Sequence, residues 1–186
     1  MKPGTLITSF QDNRGRTVTV TTLQESDFED LLTYANDLID EDTYVLLSGS
    51  HLTRTHEKKY VTDAVSDMQK KKKIHLIARI DGHLAASFEI RILPLRKSHA
   101  GEIGISLAPT YRDSGIGKKC MEILITEAKK AGLRLLVLTC FATNARALHV
   151  YTSFGFREAG RIPGLLYYKE RYEDEVMMYL PLRQAR

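Results

Sequence analysis

The stretch Gly101–Ala131 reads GEIGISLAPTYRDSGIGKKCMEILITEAKKA and decides the fold. It begins with the alternation of a β-strand, continues through a turn with two glycines, and ends with apolar residues at helical spacing. Arg112, Gly115 and Gly117 form the pattern R-x-x-G-x-G where the predicted helix begins. A helix N-terminus offers unpaired backbone N–H groups and the positive end of the helix dipole, so the turn is predicted to seat a phosphate.

Two other phosphate-binding turns do not fit this pattern. A P-loop requires G-x-x-x-x-G-K-[ST], and its first glycine is missing ahead of Gly117 and Lys118. A dinucleotide-binding turn requires a third glycine, where this chain has Cys120, and an acidic residue about twenty positions later, where it has Val137. A purely structural alternative stays open: the two glycines only allow a tight connection between the strand and the helix.

The composition is that of an ordinary globular domain. With 186 residues, 43% hydrophobic and 27% charged, the chain is predicted to be one domain over residues 1–186, with an additional strand or extension over residues 1–15. The net charge of +4 suits an anionic ligand. The run Lys70–Lys73 is interpreted as a solvated turn, which disfavours a nucleic-acid partner.

Cysteine usage and hydropathy favour a cytoplasmic protein. Cys120 and Cys140 fall inside predicted buried elements and are expected to be reduced core thiols. No apolar run has the length of a membrane span, and the N-terminus lacks the apolar core of a signal peptide, so no membrane partner is expected.

The periodicity predicts an α/β fold with the order β-α-α-β-β-β-α-β-α-β-β. A capping box at Ser26–Glu29 begins the first helix, Tyr60–Met68 marks the second, and Asn144 caps the last. The predicted strands are Arg16–Thr22, Ile74–Ile80, His83–Ile92, Gly101–Leu107, Arg134–Thr139, Phe156–Ile162 and Val176–Leu180. One strand–helix–strand crossover inside an antiparallel meander gives a mixed sheet flanked by helices.

Two motifs in this order resemble the signatures of the GNAT family of N-acetyltransferases. The first is Arg112–Gly117, and the second, N-x-x-A-x-x-x-Y-x-x-x-G-F, runs from Asn144 through Tyr151 to Phe156. The resemblance extends from Arg16 to Leu180 and implies a GNAT-like, mostly antiparallel sheet. It also implies acetyl-CoA as co-substrate, without a metal, and direct transfer of the acetyl group to an amine in a ternary complex.

The resemblance further implies which residues bind acetyl-CoA. The strand before the turn would hydrogen-bond the pantetheine arm, and a backbone N–H of Ile105 or Leu107 would polarise the thioester carbonyl. The implied coenzyme-binding residues are Ile105, Ser106, Leu107, Arg112, Asp113, Ser114, Gly115, Ile116, Gly117, Lys118, Asn144 and Tyr151.

The catalytic residues implied by the family are an acid and a base. Tyr151 matches the tyrosine near the coenzyme sulfur and would protonate the departing thiolate. Glu102 is the predicted base, with His99 and Glu89 as substitutes, or a water relay in place of a dedicated base. The structural alternatives are a core aromatic for Tyr151 and a solvated carboxylate for Glu102.

Acidic residues concentrate at both regions that shape the acceptor pocket in the family. They follow the first helix, from Asp37 to Asp42, and fill a predicted loop at Pro163–Glu175. They favour a cationic acceptor, namely a peptide N-terminus, a lysine, a polyamine or another small amine; solvated loops are the alternative. A monomer or homodimer is expected. The competing function is a non-catalytic acyl-CoA-binding or regulatory module.

Overall fold

A computed structural model describes residues 1–182 as eight strands and four α-helices. The strands are β1 (Leu6–Gln11), β2 (Thr17–Thr22), β3 (Lys73–Ile80), β4 (His83–Ile92), β5 (Ala100–Leu107), β6 (Leu135–Phe141), β7 (Arg157–Tyr168) and β8 (Arg171–Pro181). The helices are α1 (Phe28–Glu41), α2 (Arg54–Gln69), α3 (Ile116–Lys130) and α4 (Ala145–Ser153).

All eight strands form one sheet in the order β1-β2-β3-β4-β5-β6-β8-β7. The pair β5–β6 is parallel, because α3 carries the chain across one face between them, and every other neighbouring pair is antiparallel. The predicted mixed, mostly antiparallel sheet is therefore confirmed. The strand β1 precedes the predicted order and pairs with β2.

Helices cover both faces of the sheet, and each face has its own apolar cluster. On one face, α3 contributes Ile116, Cys120, Leu124 and Ala128, as its spacing predicted. On the other face, α1 and α2 pack on Ile77 of β3. We call these the α3 face and the α1/α2 face. On β5, Glu102, Gly104 and Ser106 belong to the α1/α2 face, and the intervening isoleucines pack against the α3 cluster.

Three local predictions are wrong. The helix α1 does not start from a cap at Ser26: the backbone N–H of Gln24 donates to the Asp27 side chain (2.9 Å), and a short 3-10 turn precedes Phe28. The predicted acidic loop Pro163–Glu175 is mostly strand, because β7 and β8 form a long hairpin. The solvated turn predicted for Lys70–Lys73 ends at Lys72, because Lys73 begins β3 and is buried.

The remaining sequence features lie as follows. Both cysteines are free thiols, Cys120 buried and Cys140 half-buried. Among residues 1–182, no helix combines the length and the hydropathy needed to cross a membrane.

Phe88 is the side chain whose truncation is expected to destabilise the fold most clearly. It lies fully buried on β4, in the apolar cluster of the α3 face. Phe88→Ala should lower the free energy of unfolding by about 3–5 kcal/mol, because a cavity adds to the lost transfer free energy. Urea unfolding measures the change. The control is Leu95→Ala, at an exposed leucine, and equal effects of the two substitutions would contradict this packing.

Candidate active site

The strands β5 and β6 separate soon after they meet. Their ladder contains three pairs, Ala100 with Leu135, Gly101 with Leu136, and Glu102 with Val137. Beyond these pairs, β5 continues to residue 107 and β6 to residue 141 without facing each other in the ladder. We call the opening between residues 103–107 and 138–141 the gap.

The backbone of β5 presents hydrogen-bonding groups to the gap. The N–H of Ala108 donates to Ala85 (3.0 Å), and Ala100 accepts from Leu93 (2.9 Å), so the even-numbered residues between them bond to β4. The odd-numbered residues therefore direct their N–H and C=O groups towards the gap. Among the predicted coenzyme-binding residues, Ile105 has both groups on this side, whereas the main chain of Ser106 belongs to the β4 ladder.

Two side chains from other parts of the fold form hydrogen bonds with β5 near its C-terminal end. The Arg112 guanidinium donates to the Leu107 carbonyl (3.0 and 3.1 Å) and forms an ion pair with Glu41 at the end of α1. The Ser106 hydroxyl accepts a hydrogen bond from Tyr34 (2.9 Å). The Arg112 side chain therefore joins β5 to α1, and Leu107 keeps its N–H for a ligand.

The glycine turn lies at the end of the gap and begins α3. Gly115 caps the helix with a φ of +84°, a left-handed conformation that glycine adopts without strain. The backbone N–H groups of Asp113, Ser114, Gly115, Ile116, Gly117 and Lys118 donate no hydrogen bond to any residue of 1–182. These unpaired donors, together with the helix dipole, give the turn the features of an anion-binding turn.

A second turn, Asp12–Gly15 between β1 and β2, packs against the glycine turn. The Asn13 N–H donates to the Ser114 carbonyl (2.9 Å). A Cβ on Gly115 would lie 2.8 Å from the Asn13 side-chain oxygen, whereas a Cβ on Gly117 would meet only Leu107, at 3.7 Å. The first glycine is thus required by the fold itself, and the second leaves space beside the free amides.

The helix α4 borders the gap from the β6 side. Asn144 caps it, with its side-chain oxygen accepting from the Ala147 N–H (3.1 Å), so that oxygen is already engaged. Arg146, in the first turn, forms an ion pair with Asp113 of the glycine turn (3.1 Å). This contact joins the two helix N-termini across the mouth of the gap.

Tyr151 lies on α4 with its ring packed near Phe156 (6.0 Å between centroids) and is 8% exposed. Its hydroxyl makes no hydrogen bond to residues 1–182. Burial, and secondarily the nearby Cys140 thiol, raise the pKa of Tyr151 well above its ordinary value. The phenol therefore remains protonated at neutral pH, which suits a proton donor.

Two carboxylates flank Gly104 on the α1/α2 face. Glu102 stands at the last β5–β6 pair and forms an ion pair with Arg91, whose side chain is exposed. Glu89 pairs directly with Gly104 across β4–β5. His99 precedes β5, at the end away from the gap, and is exposed.

An aromatic cluster joins the two walls predicted for the acceptor pocket. Tyr44, Phe141 and Tyr168 have centroids 5.2–5.5 Å apart, and the Tyr168 hydroxyl donates to the Asp42 carbonyl (3.0 Å). The connection after α1 is thereby tied to the β7–β8 hairpin. Part of the predicted acidic cluster is already engaged by other side chains: Glu41 forms an ion pair with Arg112, and the Asp40 carboxylate contacts His51 (2.6 Å).

The side chains of residues 1–182 contain no group of three or more His, Cys, Asp or Glu residues arranged to hold a metal ion. The glycine turn offers unpaired backbone amides, and Lys118 is exposed beside them.

Comparison with known proteins gives a consistent family match. The model of the acetyltransferase (GNAT) family matches residues 35–156, which include the glycine turn and α4. The [ribosomal protein bS18]-alanine N-acetyltransferase of Escherichia coli K12 is 36% identical over 78 residues, 42% of this chain and 53% of that protein. This chain thus spans about half the length of the curated relatives it matches.

Solved structures share the fold over most of the chain. An acetyltransferase of the GNAT family from Streptococcus pneumoniae has a TM-score of 0.79 and 24% identity, covering 89% of this chain and 99% of its own. RimL, a ribosomal L7/L12 alpha-N-protein acetyltransferase solved with coenzyme A, has a TM-score of 0.82 and 16% identity, covering 96% and 98%.

Proposed function

The chain belongs to the acetyltransferase (GNAT) family, and on that premise we propose that it transfers the acetyl group of acetyl-CoA to a primary amine in a ternary complex. The observation that carries the proposal is the gap between β5 and β6, which ends at the glycine turn. A coenzyme with a pyrophosphate and an amide-bearing arm matches both parts: free amides for the phosphates and a free strand edge for the arm.

The coenzyme lies along the gap in this proposal. Its pyrophosphate accepts hydrogen bonds from the amides of residues 115–118, and its pantetheine arm pairs with the free edge of β5 in the gap. The thioester carbonyl then accepts a hydrogen bond from the N–H of Ile105 or Leu107, which stabilises the negative charge that develops on oxygen.

The reaction is direct attack of the amine nitrogen on the thioester carbon. A neutral nitrogen is required, because a protonated amine has no lone pair. When the tetrahedral intermediate collapses, the C–S bond breaks and the sulfur takes both electrons. Tyr151 donates its phenolic proton to this thiolate, and a carboxylate beside Gly104 takes the proton that the nitrogen loses.

The acceptor in this proposal is the amine of an amino acid or of a peptide N-terminus. Two relatives support this class by name, since one acts on alanine of a ribosomal protein and the other is an alpha-N-protein acetyltransferase. Glu173 and Glu175 are half-buried on β8, in the hairpin predicted to form one wall of the acceptor pocket. Their acidic side chains favour a cationic acceptor.

A panel of amines tests the proposal. The panel contains L-alanine, an alanine-initiated tetrapeptide, an Nα-blocked lysine peptide and spermidine, and thiol release from acetyl-CoA is measured together with the product mass. We expect turnover with the alanine-initiated peptide and none with its Nα-acetylated form. Tight binding of acetyl-CoA without thiol release for any amine would identify a non-catalytic acyl-CoA-binding module instead.

A further inference from the structure

Four side chains around Glu89 form a cluster on the α1/α2 face beside the gap. The Lys73 ammonium is 2.9 Å from Glu89 Oε2, and the Tyr60 hydroxyl donates to the same oxygen (3.1 Å). His75 Nδ1 is 3.3 Å from it, and His75 Nε2 contacts the Ser87 hydroxyl (2.9 Å). Lys73 and His75 are almost fully buried, with side chains 10% and 1% exposed.

All contacts of this carboxylate fall on one of its two oxygens. Lys73, His75 and Tyr60 gather at Oε2, while Oε1 accepts no hydrogen bond from residues 1–182. A carboxylate has about four acceptor positions over its two oxygens. Glu89 is therefore held firmly from one side and keeps an open acceptor oxygen on a half-buried side chain.

His75 lies against the occupied oxygen of Glu89 without a hydrogen bond to it. Its Nδ1 is the buried side-chain atom that has no hydrogen-bond partner within the described chain. Burial lowers the pKa of His75 to about 4, so the ring is neutral at pH 7. Burial alone would raise the pKa of Glu89, but the Lys73 ammonium and the hydrogen bonds outweigh it, and Glu89 stays ionised.

Gly104 leaves space between Glu89 and the gap. It faces Glu89 directly in the β4–β5 ladder, and a Cβ placed there would meet only Glu89 Cγ, at 3.4 Å. Neighbouring strands are about 4.8 Å apart, so a glutamate on β4 reaches across a β5 residue that has no side chain. Gly104 is exposed on this face, two residues beyond the last β5–β6 pair at Glu102.

We propose that Glu89, rather than Glu102, orients the acceptor amine and accepts its proton through the open oxygen Oε1. The inference rests on the proposed acetyl transfer. Glu102 is bound to an exposed arginine at the start of the gap, whereas Glu89 is fixed by a buried lysine beside its middle. Fixing by buried partners orients Oε1 before the substrate arrives.

The proton transfer follows from the attack itself. The neutral amine forms the C–N bond, and the carbonyl π electrons move to the oxygen. The nitrogen is then positively charged and acidic, so even a carboxylate of low pKa accepts its proton. The C–S bond breaks, the thiolate takes the Tyr151 proton, and Glu89 and Tyr151 return to their resting states by exchanging protons with water.

Matched substitutions of the two carboxylates test the inference. The acceptor is the amine that the wild-type protein acetylates fastest among L-alanine, the alanine-initiated tetrapeptide, the Nα-blocked lysine peptide and spermidine. Glu89→Gln should lower kcat/KM for this amine by about 100-fold or more, with the Kd of acetyl-CoA unchanged. Glu102→Gln should lower kcat/KM at least about tenfold less than Glu89→Gln does. A larger loss in Glu102→Gln than in Glu89→Gln overturns the inference.

Two further variants keep the test decisive if Glu89→Gln fails to fold with Lys73 unpaired. Glu89→Asp retains the charge but withdraws the oxygen, and we expect a loss of about 10-fold or more. Gly104→Leu fills the space beside Glu89, and we expect KM for the amine to rise about 10-fold while acetyl-CoA still binds. Wild-type rates in both variants overturn the role of Glu89 but leave the proposed acetyl transfer standing. A wild-type protein that is inactive with every amine overturns the proposed function as well.

Discussion

Gly117→Asp is expected to weaken acetyl-CoA binding by about 100-fold or more while leaving the fold intact. A Cβ at this position meets only Leu107, at ordinary contact distance, and the backbone has no left-handed strain. A carboxylate in the first turn of a helix even stabilises that helix through the dipole. The same carboxylate competes with the pyrophosphate for the free amides and repels it. We therefore expect the affinity for acetyl-CoA to fall while the stability of the fold rises or stays unchanged.

Calorimetric titration with acetyl-CoA measures the affinity, and thermal unfolding measures the stability. The matched control is Gly117→Ala, which adds the Cβ without the charge and should reduce affinity less. Gly115→Asp is a poorer test, because its side chain would displace Asn13 and adopt a left-handed backbone. Affinity of Gly117→Asp within about threefold of the wild type would exclude the turn as the phosphate site.

Tyr151→Phe is expected to lower the rate of acetyl transfer by about 10-fold or more, with acetyl-CoA affinity nearly unchanged. Phenylalanine keeps the ring that packs near Phe156, so only the acidic proton is lost. Without that proton, the thiolate must leave unprotonated or take its proton from water. The single-turnover rate is the measurement, since slow product release can hide a change in chemistry.

The control for this prediction is Tyr167→Phe, at an exposed tyrosine on β7. It removes the hydroxyl of an exposed side chain and should change neither the single-turnover rate nor the affinity for acetyl-CoA. A Tyr151→Phe protein with the wild-type single-turnover rate would show that Tyr151 is a core aromatic without a catalytic role.

The sequence predicted those parts of the fold that local periodicity determines. Alternation on β5 separated Glu102, Gly104 and Ser106 from the isoleucines, and helical spacing identified the buried stripe of α3. Both patterns have strong local causes, because one misplaced residue would expose apolar surface or bury a charge.

The parts that sequence reasoning missed depend on partners far along the chain. The extension of β7 and β8 ends in a turn at Lys169 and Glu170, both with positive φ, and neither residue carries the usual Asn-Gly or Asp-Gly signal. Asn13 meets Gly115 from about a hundred positions away. The Asp12–Gly15 segment, D-N-R-G, signals a turn, but no sequence signal shows what that turn packs against.

The cluster around Glu89 also could not be predicted from the sequence. Lys73 reads as the end of a solvated charge run, and its burial follows only from the start of β3 beneath Tyr60 of α2. The sequence offers Glu89 only as a substitute for Glu102. Its significance comes from the register that places it opposite Gly104.

The most direct test of the account is a crystal structure of this protein with coenzyme A. The account predicts the pyrophosphate on the amides of residues 115–118, the pantetheine arm paired with Ile105 in the gap, and the sulfur beside the Tyr151 hydroxyl. Coenzyme bound elsewhere, with the gap closed or filled by the protein's own side chains, would contradict it.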